Sequence, residues 1–102
     1  MTTPSTSIAA RKSIHSVAGT LRRQVFLKIL EKGALGATLE ELELEMGIAG
    51  NTIRPRRQEL EKRGLVENSG RERPTSSGRQ AIVWVVPESV ALLAQRKLKS
   101  GT

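Results

Sequence analysis

The chain contains no cysteine, no aspartate and no tyrosine among its 102 residues, and only one histidine, one phenylalanine and one tryptophan. Without cysteine there is neither a disulfide scaffold nor a thiolate zinc site. With a single histidine, His15, and no aspartate, a Ser-His-acid triad is not expected. His15 stands alone and reads as a surface or capping residue. No glycine-rich loop of the phosphate-cradling form precedes a helix, and the glutamates at 40–45 have no histidine or aspartate companions for a metal. Enzymatic activity is therefore not expected, and neither is a cofactor or a metal. With Phe26 and Trp84 as the only aromatics, Leu, Ile and Val must fill the core; Trp84 itself reads as a core residue rather than a base-stacking one. No apolar run reaches bilayer length, and "MTTPSTSIAARK" lacks the apolar centre of a signal peptide, so no membrane association and a cytoplasmic location are expected. At this length the chain makes one domain.

Positive charge is what the chain has in excess. Net charge is +7 and the isoelectric point about 10.9, the signature of a polyanion binder. Residues 1–30 carry five basic groups and no acid, and residues 31–50 carry one base against five glutamates. Residues 51–86 carry eight basic and four acidic groups. One acidic segment thus interrupts a basic chain, and it reads as a solvated helix face turned away from a polyanion.

Residues 1–12 are polar and read as a disordered arm. Ile14, Val17, Leu21, Val25 and Ile29 recur at three- and four-residue steps, the stripe of an amphipathic helix. Ser13 or Ser16 is placed to cap it and Gly33 to end it. "GALGA" is a loop whose Leu35 is expected to pin it to the core. In "TLEELELEMG", Thr38 and Glu41 form a capping-box pattern and Gly47 a stop. After "IAGN" comes a third helical pattern holding Ile53 and Leu60, with Arg63–Gly64 as its stop. Asn51 is a better cap than Ala49. A helix starting after Asn51 would put Pro55 near its leading end, whereas a start after Ala49 would put the proline deeper and kink the helix. "LVENS" and "AIVWVV" read as strands joined by a long basic loop, "GRERPTSSGRQ". Pro87 ends the second strand, and "ESVALLAQRKL" reads as a short last helix with Val90, Leu93 and Leu98 near one side. Two helices joined by a short turn and followed by a hairpin are the layout of a winged helix-turn-helix. The expected fold is α+β and mainly helical: a three-helix core with a hairpin wing over 13–87, then a short C-terminal helix or tail over 88–102.

"TLEELELEMGIAGNTIRPRRQELEKRGLVENSG" resembles the helix-turn-helix core of winged-helix regulators of the MarR-like broad group, with Leu42, Met46, Ile48, Ile53 and Leu60 at the buried positions and Gly47 at the turn. "GTLRRQVFLKIL", "NTIRPRRQEL" and "SGRERPTSSGRQAIVWV" together resemble small winged-helix proteins of bacteriophages and prophages. The resemblance implies binding of double-stranded DNA, a regulatory or accessory role, and a bacterial host cytoplasm. Two residues depart from the pattern. Glu43 stands where a small residue is wanted and Arg57 where an apolar one is; an ion pair between them across the helix crossing is expected.

The DNA-reading candidates on the third helix are Asn51, Thr52, Arg54, Arg56 and Arg57. Arginine can hold guanine with two hydrogen bonds or grip a phosphate. Thr52, Arg54 and Arg56 are expected to face outward, while Arg57, Lys62 and Arg63 read as structural or phosphate-facing. Wing candidates are Arg71, Arg73, Thr75, Ser76, Ser77 and Arg79, since arginines on a hairpin tip can enter a minor groove and hydroxyls can bind phosphate oxygens. Arg11, Lys12, Arg22 and Arg23 are candidates for an arm along the backbone. The plain alternative for each set is a solvated basic surface. A homodimer is left open, as is a rival function: a docking module for a protein partner, working through Glu43, Glu45 and the last helix.

Overall fold

Residues 19–100, with side chains to residue 96, are described by the structure, a computed structural model. The expected arm at 1–12 with Arg11 and Lys12, the caps at Ser13 or Ser16, His15, Ile14, Val17 and the Leu98 side chain lie outside what is described. The first helix, α1, is described over 19–32. Its expected stripe is inward: Val25 and Ile29 are fully buried, and Leu21 and Phe26 pack on the same core.

A 3₁₀ turn, Gly33–Leu35, follows. Leu35 does not pin it to the core, because its side chain is 61% exposed. The attachment is made by backbone instead. Ala37 exchanges two hydrogen bonds with Trp84, N–H to O at 2.9 and 2.8 Å. Gly36 makes that approach possible. Its φ is +66°, and a Cβ there would lie 2.5 Å from the Trp84 carbonyl oxygen and 2.7 Å from methyls of Val83 and Val85.

Helix α2 spans Leu39–Met46. The capping box is present: the Glu41 amide donates to Thr38 Oγ1 (3.2 Å) and the Thr38 amide to Glu41 Oε1 (3.0 Å). Gly47, in the left-handed region, ends the helix by donating to the Glu43 carbonyl at 2.9 Å.

Helix α3 spans Gly50–Lys62, so its N-cap is Ala49, which makes no side-chain capping bond. The expectation that Asn51 caps the helix is corrected. Local preference favours asparagine, but Gly50 is buried against Glu43, whose carboxylate oxygen would lie 2.7 Å from an added Cβ. The small residue that the crossing needs is therefore on α3, opposite the oversized Glu43, and this seats the helix two residues earlier. The helix runs unbroken through Pro55, which is exposed, so the Asn51 carbonyl that loses its donor can meet water. The C-terminus closes as a Schellman motif, Leu65 N–H to Leu60 O (2.9 Å) and Gly64 N–H to Glu61 O (3.0 Å).

Strands β1 (Glu67–Pro74) and β2 (Gln80–Val85) pair antiparallel. β1 is longer than "LVENS" foretells. The register slips between Asn68 and Glu72, where Asn68 Oδ1 accepts from the Gly70 amide (2.8 Å) and Ser69 Oγ from the Arg71 amide (3.1 Å). The glycine that reads as a loop signal is absorbed in this bulge, and pairing continues to Pro74. The connecting tip is only Thr75–Arg79. Helix α4 spans Glu88–Ser100; Val90 is half-buried, while Leu93 is 64% exposed.

Val25, Ile29, Ala37, Leu42, Ile53, Leu60, Val66 and Trp84 form one core at the junction of α1, α2, α3 and the hairpin. The chain is a winged helix-turn-helix. Replacing Gly36 by alanine should destabilise it by about 2 kcal/mol or more, from left-handed strain plus the clash with the Trp84 carbonyl. Thermal unfolding followed by circular dichroism measures this, and a Gly36→Ala protein as stable as the parent would contradict the packing described.

Candidate nucleic-acid interface

Ile53, Arg57 and Leu60 face inward from α3. The opposite stripe, exposed, holds Asn51, Arg54, Pro55, Gln58 and Lys62, with exposed Thr52 beside it. Gln58 was not among the sequence candidates. It lies one turn after Arg54, a spacing visible only once the buried face is known.

Arg57 is not on that surface. Its exposure is 9%, its guanidinium carbon lies 3.9 Å from the centroid of the Trp84 ring, and Nη1 donates to Glu61 at 3.0 Å. The DNA-reading candidate Arg57 thus lies buried on the inner face of α3, and in place of the expected Glu43–Arg57 pair it makes this stack and the bond to Glu61. The flat guanidinium covers an aromatic face while its polar edge reaches a carboxylate on the same helix.

Arg56 is also constrained. Nη2 donates to Glu59 at 3.0 Å, and the other oxygen of Glu59 accepts from Arg22 Nη1 at 3.2 Å. Nε of Arg56 is buried without a partner among the described residues. Glu59 thus fastens α3 to α1. Arg22, expected on the arm, is half-buried in this bridge, while Arg23 is exposed.

The wing is docked rather than loose. Arg73 donates through Nε and Nη2 to both oxygens of Glu41 (3.0 and 2.9 Å), through Nη1 to the Leu35 carbonyl (2.9 Å) and through Nη2 to that of Gly36 (3.0 Å). Arg71 donates to the carbonyl of Ala34. The bulge aims Arg71 at the turn before α2, and the resumed pairing aims Arg73 there too. Arg73 is thus held by four hydrogen bonds to the turn and α2, and inserting it into a groove would require breaking them. Arg79 is exposed at the tip, as are Ser76 and Ser77, while Thr75 is half-buried.

Electrostatics follow from these contacts. Glu45 is shared by Lys32 (2.6 Å) and Lys28 (3.9 Å), and this contact raises the Lys32 pKa above its ordinary 10.5. Partial burial opposes ionisation of Glu41, but the Arg73 bonds and the Thr38 amide outweigh it and hold the carboxyl below its ordinary 4.5. Much of the acidic segment is thus consumed inside the domain. Arg54 and Arg79 have no carboxylate partner among the described residues. Among those residues, no three His, Cys, Asp or Glu side chains gather where they could hold a metal ion, and no helix is long and apolar enough to cross a membrane.

No protein-family model matches the chain, and no curated protein matches it in sequence. Among solved structures it is similar to ZitR of Lactococcus lactis, seen in the apo form of a double mutant. The TM-score is 0.59 over 95% of this chain and 68% of that one, at 9% sequence identity. The structural likeness shows a shared fold, and at that identity no residue roles transfer.

The Glu41–Arg73 clasp gives a pH dependence. The folded carboxyl titrates below the unfolded one, so the unfolded state binds more protons in that interval. The contribution is complete above the unfolded value and is lost as pH falls through the folded one. At pH 7, Glu41→Gln, which can still cap α2, should lower stability by on the order of 1 kcal/mol, discounted for a partly exposed pair. The gap from the parent should begin to narrow as pH falls through the ordinary glutamate range, about 4.3, and close only below the lower value of the folded carboxyl. Denaturant titrations at stepped pH measure it; a gap that persists unchanged in acid would contradict the clasp.

Proposed function

We propose that the chain binds double-stranded DNA, with the N-terminal half of α3 in the major groove and the wing tip on the adjacent backbone or minor groove. One observation carries this reading. The stripe of α3 facing away from the core presents Asn51, Arg54, Gln58 and Lys62 with no carboxylate among them, while the acids of that helix, Glu59 and Glu61, are occupied by Arg22, Arg56 and Arg57. Arg54 suits guanine, and Asn51 and Gln58 suit adenine. Thr75, Ser76, Ser77 and Arg79 are phosphate or minor-groove contacts. Arg23 adds positive charge on α1. Arg56, Arg57, Arg22 and Arg73 hold the fold instead. The finer reading is a regulator or accessory DNA protein of the phage and prophage kind in a bacterial cytoplasm, and it rests on the sequence resemblance.

The second reading, a protein-docking module or a homodimer, is favoured by Leu93, 64% exposed on α4, which lines a groove of about 450 Å³ with Phe26, Leu65, Val90 and Ala94, and by the exposed Leu92 on the same helix.

Affinity for duplex DNA should fall steeply with salt, with a logarithmic slope of about −3 or steeper if several phosphates are gripped. Arg54→Ala should weaken binding about tenfold, the loss of one bidentate contact, without lowering the melting temperature. Fluorescence anisotropy with labelled duplexes across a salt series reads both. Binding that ignores both salt and Arg54→Ala would transfer the function to the docking reading.

A further inference from the structure

The wing meets α2 through two contacts of different character. Arg73 is anchored by four hydrogen bonds and is half-buried. Three residues further on, the Ser76 amide is held by Glu40 alone. Both carboxylate oxygens approach the one N–H, at 3.1 and 3.2 Å, and the contact is exposed. One N–H cannot point well at two acceptors, so the tip is held by a weak bond at the end of a strong anchor.

The Ser76 N–H takes no part in the turn itself, which is closed by Thr75 N–H to Arg79 O (2.7 Å) and Gly78 N–H to Thr75 O (2.9 Å). Beside it, the hydroxyls of Thr75 and Ser77 lie 2.9 Å apart, and Arg79 follows in the same tip. An amide N–H, two hydroxyls and a guanidinium are donors suited to the oxygens of a phosphodiester. What sits there instead is an anion from the chain's own α2.

We propose that Glu40 is an intramolecular competitor for the wing-tip phosphate seat: its carboxylate closes the Ser76 amide until a DNA phosphate displaces it. This rests on the DNA-binding reading above and adds regulation to it. Engaging the wing exchanges one anion for another, so the wing adds little to binding by charge alone. It contributes fully only when contacts from α3 hold the duplex in place. Glu40 thereby restrains binding to arbitrary DNA while Arg73 keeps the wing at its fixed height.

Two substitutions separate this role from mere bracing. Glu40→Gln keeps a carbonyl acceptor for Ser76 but removes the charge. Ser76→Pro deletes the N–H at the second position of a turn, where proline fits. With a 20-base-pair duplex of random sequence, Glu40→Gln should tighten binding about fivefold, the scale of one hydrogen bond to a charged group, whereas Ser76→Pro, which deletes an N–H that Glu40 already fills, should change it by less than about twofold. The double variant should bind no tighter than Ser76→Pro, and circular dichroism should show all three folded. If Glu40 only braces the wing, both single changes weaken binding, and that result overturns the proposal, as does a parent protein that binds DNA with neither change having any effect. A titration with inorganic phosphate, following the Ser76 amide by nuclear magnetic resonance, is independent of the DNA reading. The amide should shift at lower phosphate in Glu40→Gln than in the parent even if the parent ignores duplex DNA, and an amide unmoved in both proteins refutes the seat.

Discussion

The arginine laid against the indole of Trp84 is the contact on which the arrangement of α3 and the wing depends. Trp84 belongs to the core cluster, and Phe26 is the one other aromatic residue in the chain; the guanidinium of Arg57 lies over the Trp84 ring. Arg57 thus presents a flat group that is less costly to dehydrate than an ammonium. It satisfies its edge through Glu61, which is nearly half exposed and can stay charged at the domain boundary. Such a stack is worth about 1–2 kcal/mol when partly desolvated. Its larger effect is geometric. Trp84 is paired through its backbone to Ala37, and through register to Asn68, so the position of α3 is tied to the strand whose hairpin forms the wing.

The charge distribution acquires a different meaning in three dimensions. A chain of net charge +7 with an acidic stretch looks like a basic surface and an acidic surface. In the folded domain half of the chain's ten acids are partners of bases: Glu31 of Lys28, Glu45 of Lys28 and Lys32, Glu41 of Arg73, Glu59 of Arg22 and Arg56, Glu61 of Arg57. Arginine is used here chiefly as a fastener between elements. Among the described residues, the cations without a carboxylate partner include Arg54 and Lys62 on the outer stripe of α3, Arg23 on α1, Arg79 at the wing tip and Arg96 on α4.

What could be read from the sequence was whatever is decided within a few residues. The capping box of Thr38 and Glu41, the stop at Gly47, the stripe through Leu21, Val25 and Ile29 and the stop at Gly64 are local, and they stand as read. Misreadings arose where a distant partner decided. Asn51 lost the cap because Gly50 had to face Glu43. Gly70 became a bulge instead of a loop because β2 offered pairing partners as far as Gln80. Leu35 was outward because the attachment it was expected to make is a backbone exchange between Ala37 and Trp84. Arg73 is bound by the Leu35 and Gly36 carbonyls of the turn and by Glu41 of α2, which no local pattern announces. For Arg57 the signal is a charged residue at an inward position in a chain with a single tryptophan, and the indole is its partner.

The scarcity of aromatics has an optical consequence. With one tryptophan and no tyrosine, nearly all the near-ultraviolet emission of the folded protein originates at Trp84. That indole lies under Arg57 of α3, opposite Asn68 of β1, and is joined by its backbone to the turn before α2. The chain therefore carries a spectroscopic label of its own at the place where helix, hairpin and turn meet. Its light reports on whether these three parts keep their mutual positions.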